Sequence, residues 1–287
     1  MSVTAAQGFR AAGVRAGLKA SGKPDLALVV NDGPLDTAAG VFTTNRVVAA
    51  PVVWSRWLLA GQEGVQPGHA RAVVLNSGSA NACTGAQGMH DTEATAVRAA
   101  GLLGAEPDQV LVCSTGVIGE RIDMPVLLEG VDVAALALAD TPQAGTDAAT
   151  AIMTTDTVSK EDALTVGAGE QSWTIGGMIK GVGMLAPGLA TMLAVITTDA
   201  VLTPEQAQDA LASATMRTVN RINSDGCMST NDTVLLLASG ASGTTPSQDE
   251  LDEALTEVMS RLGRRLVADA EGATHDIAIT VSGAVSE

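Results

Sequence analysis

Trp173–Ala200, WTIGGMIKGVGMLAPGLATMLAVITTDA, carries five glycines, one lysine and one proline before it becomes an unbroken apolar run. Met192–Thr197 reads as a buried strand, and Gly176, Gly177, Gly181, Gly183 and Gly188 as a loop leading into it, with Thr191 at the junction. Lacking a Cβ, such glycines let the backbone approach another group closely or adopt angles that other residues resist. A glycine-rich loop ahead of a strand is most often only a turn. Lys180 sets this one apart. Of the four lysines, Lys19, Lys23 and Lys160 lie near Pro, Asp or Glu and read as solvated. Lys180 stands among glycines and apolar residues, where an ammonium needs a carboxylate partner or a ligand.

Working outward, the N-terminal third shows short apolar runs closed by Asn, Asp, Gly or Ser: Leu26–Val30, Gly40–Phe42, Pro51–Trp54 and Ala72–Leu75 are predicted strands. Thr92–Leu103 has helical spacing, Val110–Cys113 reads as a strand running into Ser114-Thr115-Gly116, and Met124–Leu138 as a helix. Thr141–Asp147 reads as a linker, and Leu164–Ile175 as a hairpin around Gly167 and Gly169. Beyond the opening stretch, Thr203 with Pro204 and Gln206 forms a capping box for a helix to about Arg221. Val234–Ser239 is a strand, Ser247 and Glu250 cap a helix to about Ala270, and Ile277–Val281 is a last strand. Strands followed by helices, with many glycine turns, indicate a layered α/β protein.

Lys and Arg total 16 against 32 Asp and Glu, a formal charge of −16 over 287 residues, which argues against nucleic acid as a partner. The apolar share of 46% fits a compact core, and the absence of Tyr leaves that core to Ala, Val, Leu, Ile and Met. No apolar run reaches the ~18 residues a membrane span requires, and the opening residues have no signal-peptide core. Three separated cysteines, Cys83, Cys113 and Cys227, fit reduced thiols and so a cytoplasmic protein. There is no zinc spacing and no metal site is expected.

Gly176–Ala200 resembles the self-cleavage region of the glutamate N-acetyltransferase, or ornithine acetyltransferase, family of arginine biosynthesis. Further motifs match in family order: DLALVVNDGP (25–34), GVFTTNRVVAAPV (40–52), LNSGSANACTG (75–85), CSTGVIG (113–119), AIMTTDT (151–157), STNDTVLLLASGASG (229–243) and ADAEGAT (268–274). The resemblance implies a layered α-β-β-α sandwich of the type shared with N-terminal-nucleophile aminopeptidases. It implies cleavage between Ala190 and Thr191, giving an α part, 1–190, and a β part, 191–287, that assemble as α2β2 or larger. Thr191 would be the nucleophile, Thr115 and Gly116 the oxyanion donors, and Thr154, Lys180, Thr191 and Glu271 the substrate-binding residues. N-acetylornithine and glutamate would exchange acetyl by a ping-pong route without a cofactor, with acetyl-CoA as an alternative donor. The family pattern continues past Glu287 into an Asp-Pro-Asn-Trp-Gly-Arg-like segment and a tail that helps bind substrate.

The chemistry of the residues is consistent with this. A threonine hydroxyl needs a base that titrates near working pH. An α-amino group at roughly 7.7–8.0 serves far better than a lysine at about 10.4, so cleavage creates the base beside the hydroxyl. Lys180 suits a substrate carboxylate, Glu271 an ammonium and Thr154 a polar hydrogen bond. Asp156, Asn231 and Asp232 are assigned supporting roles. Cys113 reads as a packing cysteine, and His69, His90 and His275 as surface residues. Gly181-Val-Gly is no dinucleotide fingerprint, since a strand follows it. The rival readings are an N-terminal-nucleophile aminopeptidase, a secondary-metabolism acetyltransferase, and a shortened subunit that binds without turnover.

Overall fold

The computed structural model describes residues 2–186 and 192–285. Among these, nine strands run in chain order as β1 (Phe9–Val14), β2 (Leu26–Asn31), β3 (Thr37–Phe42), β4 (Ala72–Ser79), β5 (Val110–Val117), β6 (Lys160–Val166), β7 (Trp173–Lys180), β8 (Leu193–Thr198) and β9 (Thr233–Ala238). Six helices accompany them: α1 (Ala50–Ala60), α2 (Gly85–Leu103), α3 (Met124–Leu136), α4 (Pro142–Ala151), α5 (Pro204–Arg217) and α6 (Gln248–Ala268). The strands form a four-stranded sheet, β1-β2-β4-β5, and a five-stranded sheet, β3-β9-β8-β7-β6. The pairs β4–β5 and β8–β9 are parallel and the others antiparallel.

The layering follows from which face each side chain occupies. In β2, Leu26, Leu28 and Val30 pack with α2 and α3, whereas Ala27 and Val29 pack between the sheets. In β9, Leu235 and Leu237 join that inter-sheet core, while Val234, Leu236 and Ala238 face α5 and α6. Strands covered on both faces lose polar alternation and read as continuous apolar runs. The order of layers is therefore α2/α3, four-stranded sheet, five-stranded sheet, α5/α6, as the resemblance implied. The helix α1 lies against β5 and β3, and α4 against β1, at the margins of the inner core. No helix among the described residues is long and apolar enough to cross a membrane.

Several sequence expectations are corrected. Pro51–Trp54 belongs to α1, where Pro51 sits in the first turn and needs no N–H partner, and Val52, Ser55 and Leu58 form its buried face. Thr141–Asp147 is no linker: the Thr141 hydroxyl accepts from the Ala144 N–H and caps α4. That helix is built of small residues because it touches β1, where a Cβ on Gly13 would lie 2.0 Å from the Asp147 carbonyl oxygen. The second helix begins at Gly85 rather than Thr92, and α5 ends at Arg217, followed by a short 3-10 turn, Val219–Arg221. Ile277–Val281 forms no strand; Ile277 and Ile279 are exposed, with no neighbouring strand among the described residues. Gly176 and Gly177 lie inside β7 rather than in a loop. A Cβ on Gly176 would meet the Ser2 carbonyl oxygen at 2.2 Å, so close approach explains the glycine. Both predicted capping boxes are formed, whereas β1 and the start of β6 at Lys160 had no reading in advance.

Candidate active site

The site lies where β5 of one sheet and β7 of the other end together. Val110, Leu111, Val112 and Cys113 carry β5 through the core to Ser114, whose hydroxyl donates to Asn76 Oδ1 at 2.6 Å and whose carbonyl accepts from Asn231 Nδ2 at 2.8 Å. Asn231 also donates to the Ala80 carbonyl at 2.6 Å, so the two strand ends of the four-stranded sheet are tied to the turn before β9. The chain then bulges. Gly116 has φ +132°, and a Cβ there would stand 2.4 Å from the Gly78 carbonyl carbon. Only glycine accommodates both constraints.

Opposite, β7 ends at Lys180. Its side chain is buried, at 2% exposure, and Nζ donates to Thr115 Oγ1 at 3.1 Å. Burial pushes the ammonium down to about 8, against the opposing pull of Asp156 and Asp232. Asp232 is buried too; its Oδ1 accepts from the Met192 N–H at 3.2 Å, while Oδ2 has no hydrogen-bond partner among the described residues. Burial pushes that carboxyl up to about 8. Asp156 behaves oppositely. Burial would raise it, but the Lys180 charge and the Lys160 bond more than offset this and hold it below the ordinary range.

A cleft of about 660 Å³ is lined by Thr115, Gly116, Thr154, Lys180 and Glu271. The structure thus brings together five of the residues singled out in the sequence. Thr191, the residue before Met192, and Ala190 lie outside the described residues. Glu271 is exposed, with Oε2 over Gly183 and its N–H donating to the Val182 carbonyl at 2.7 Å. Thr154 is half-buried and donates its N–H to Asp156 Oδ2 at 3.0 Å.

Two lysines read as solvated are not. Lys160 is wholly buried between Asp156 and Asp269. Lys19 lines the cleft and donates to the Pro24 and Met153 carbonyls at 2.7 and 2.6 Å, closing the C-terminal end of α4. The four-residue spacing of Asp156 and Lys160 was the available signal. Cys113 is buried, and burial alone pushes its thiol up to about 12, too high for a nucleophile. His90 and His275 are exposed as read; His69 is half-buried and its Nδ1 lies 2.7 Å from Asp36 Oδ1, remote from the cleft. Among the described residues no cluster of His, Cys, Asp and Glu could hold a metal ion.

An α-β-β-α body with its cleft at converging strand ends defines a protein of the N-terminal-nucleophile architecture. Its likeness to the L-aminopeptidase D-Ala-esterase/amidase of Ochrobactrum anthropi bears on that fold alone: 14% identity and TM-score 0.56 over 95% of this chain and 88% of that one. The ArgJ family model matches residues 10–287, and the chain belongs to the ArgJ family of arginine-biosynthesis acyltransferases. The arginine biosynthesis bifunctional protein ArgJ of Bifidobacterium longum is 59% identical over all of this chain and 71% of its own length. That of Thermobifida fusca is 59% identical over 100% and 72%. The ornithine acetyltransferase of Mycobacterium tuberculosis, solved in complex with ornithine, is 52% identical with TM-score 0.61, over 66% of this chain and 96% of that one.

Proposed function

We propose that the chain transfers acetyl from N-acetylornithine to glutamate through an ester on Thr191, after self-cleavage of the Ala190–Thr191 bond. The observation that carries this reading is the Lys180–Thr115 contact within a cleft that also holds Gly116, Thr154 and Glu271. Thr115 Oγ1 accepts from Lys180, so its own hydrogen is free to donate to an oxyanion beside the Gly116 N–H.

In maturation the Thr191 hydroxyl attacks the Ala190 carbonyl, the acyl group shifts from nitrogen to oxygen, and water hydrolyses the ester. The products are a carboxylate on Ala190 and a free amine on Thr191. In turnover that amine takes the hydroxyl proton as Oγ attacks the acetyl carbonyl of N-acetylornithine. The tetrahedral oxyanion is held by Thr115 and Gly116, the C–N bond breaks, and the proton passes to the departing ornithine amine. Glutamate's amine then attacks the acetyl ester and restores the hydroxyl. Lys180 binds the shared α-carboxylate, and Glu271 and Thr154 orient the amino-acid part. No electron transfer is involved, and no cofactor enters this cycle; acetyl-CoA is a second donor to be assayed.

We divide the chain at the Ala190–Thr191 bond into 1–190 and 191–287. We place the assembled fragments, as α2β2 or larger, in the cytoplasm.

Thr191→Ala should give one uncut mass and no exchange, whereas the parent gives two masses and retains radiolabel from acetyl-labelled N-acetylornithine on Thr191. Cleavage of the alanine variant, or full turnover by an uncut parent, would defeat the reading. An aminoacyl amide assayed in parallel separates exchange from hydrolysis on the same architecture.

A further inference from the structure

Lys160 is a wholly buried cation that takes no part in the reaction just described. All three of its donors are engaged: Asp156 Oδ1 at 2.7 Å, Asp269 Oδ2 at 2.5 Å and the Val158 carbonyl at 3.4 Å. What matters is where the two carboxylates reach next. Asp156 Oδ2 accepts from the Thr154 N–H, and its Oδ1 accepts from the Gly181 N–H at 2.8 Å, one residue beyond Lys180. Asp269 accepts from the N–H and hydroxyl of Thr157 and stands two residues before Glu271. One ammonium is thereby linked to the segments bearing Thr154, Lys180 and Glu271, all of which line the cleft.

Resting on the reading above, in which those three residues bind the amino-acid part of the substrate, we propose that Lys160 is a positioning residue of that subsite. It sets the spacing between the cation and the carboxylate that grip substrate. A ligand with a fixed separation between its carboxylate and ammonium groups needs such spacing held in advance. Glu271 is exposed and follows the end of α6; beside its N–H bond to the Val182 carbonyl, the Asp269 anchor two residues earlier fixes where it leaves the helix. Asp269 also lies in the part after Thr191 and Asp156 in the part before it, so the same lysine fastens the two fragments across the proposed cut.

Asp269→Asn is the first test, because it keeps the shape and the Thr157 contact while weakening only the Glu271 side. It should fold, self-cleave fully by intact mass, and raise KM for N-acetylornithine about tenfold with kcat within about threefold. Calorimetric affinity for ornithine should fall by a similar factor. Lys160→Met should act in the same direction and more strongly, with partial rescue by Lys160→Arg. A lowered melting temperature with KM and ornithine affinity unchanged in folded Asp269→Asn would make the cluster merely structural and overturn the proposal, whatever Lys160→Met does. If the parent binds ornithine but shows no exchange, the proposed reaction fails while an affinity loss in Asp269→Asn still upholds the positioning role. A parent that binds no ornithine sinks both.

Discussion

Lys160 and Lys180 are buried cations on adjoining antiparallel strands, with Lys160 directly opposite Ile179, yet their surroundings differ. Around Lys160 two carboxylates and a carbonyl close the shell. Around Lys180 the one hydrogen bond among the described residues goes to a threonine hydroxyl, the nearby acids act from a distance, and the side chain lines the cleft. The contrast separates a charge paired within the protein from one that, among the described residues, has no carboxylate in direct contact, as its proposed role toward a substrate carboxylate requires. Folding tolerates the second kind only at a cost, visible in how far burial depresses Lys180.

Truncating each lysine breaks the comparison most directly. Lys160→Met leaves Asp156 and Asp269 facing each other without a counter-charge, and loss of one partner from a buried pair costs about 3–5 kcal/mol. Lys180→Met removes a cation whose fall from 10.5 to about 8 corresponds to roughly 3 kcal/mol, at the loss of one hydrogen bond. It should therefore be as stable as the parent or more so, while substrate affinity collapses. Chemical denaturation of both variants checks this; equal destabilisation would erase the distinction.

The pH dependence sharpens the comparison. Lys180 titrates lower in the folded chain than in the unfolded one, so between about 8 and 10.5 the unfolded chain holds more proton and stability rises with pH. Asp232 is raised from 3.8 to about 8, so the folded chain holds more proton across that window and stability falls as pH rises through it. The two contributions meet in a minimum near pH 8. Relative to the parent, Lys180→Met should lose the upper limb and Asp232→Asn the lower one, measured as denaturation midpoints against pH. Substrate affinity should weaken above about pH 8 as Lys180 loses its charge.

How much of this was legible in the sequence varies with the physics. The strands β2, β8 and β9 were readable because helices and the partner sheet cover both faces, leaving uninterrupted apolar runs. The cleft residues were readable from motifs, since Thr115, Gly116, Thr154, Lys180 and Glu271 each sit in a matched segment. By contrast α4 was hidden by the small residues that let it touch β1. Lys160 was misread because its immediate neighbours Ser159, Glu161 and Asp162 are polar, whereas its second partner, Asp269, is 109 positions away. Local composition describes the neighbours along the chain, and a buried charge is decided by neighbours in space.

Thr115→Val should disturb stability only slightly. The substitution deletes the hydroxyl that accepts from Lys180 but keeps the branched shape beneath Gly116, so the loss should be about 1 kcal/mol. Because Lys180 would then have no direct acceptor among the described residues, its ammonium should titrate lower still, and the rising limb of the stability profile should begin below pH 8. Under the proposed oxyanion role the kinetic consequence is far larger, since removing one oxyanion donor typically lowers kcat 10²–10³-fold. Small stability loss, a shifted limb and a large fall in kcat together would show that the hydroxyl serves the lysine and the oxyanion at once. A fall in kcat with the limb unmoved would mean that Lys180 draws no support from Thr115, and that its charge is held by Asp156 and Asp232 alone.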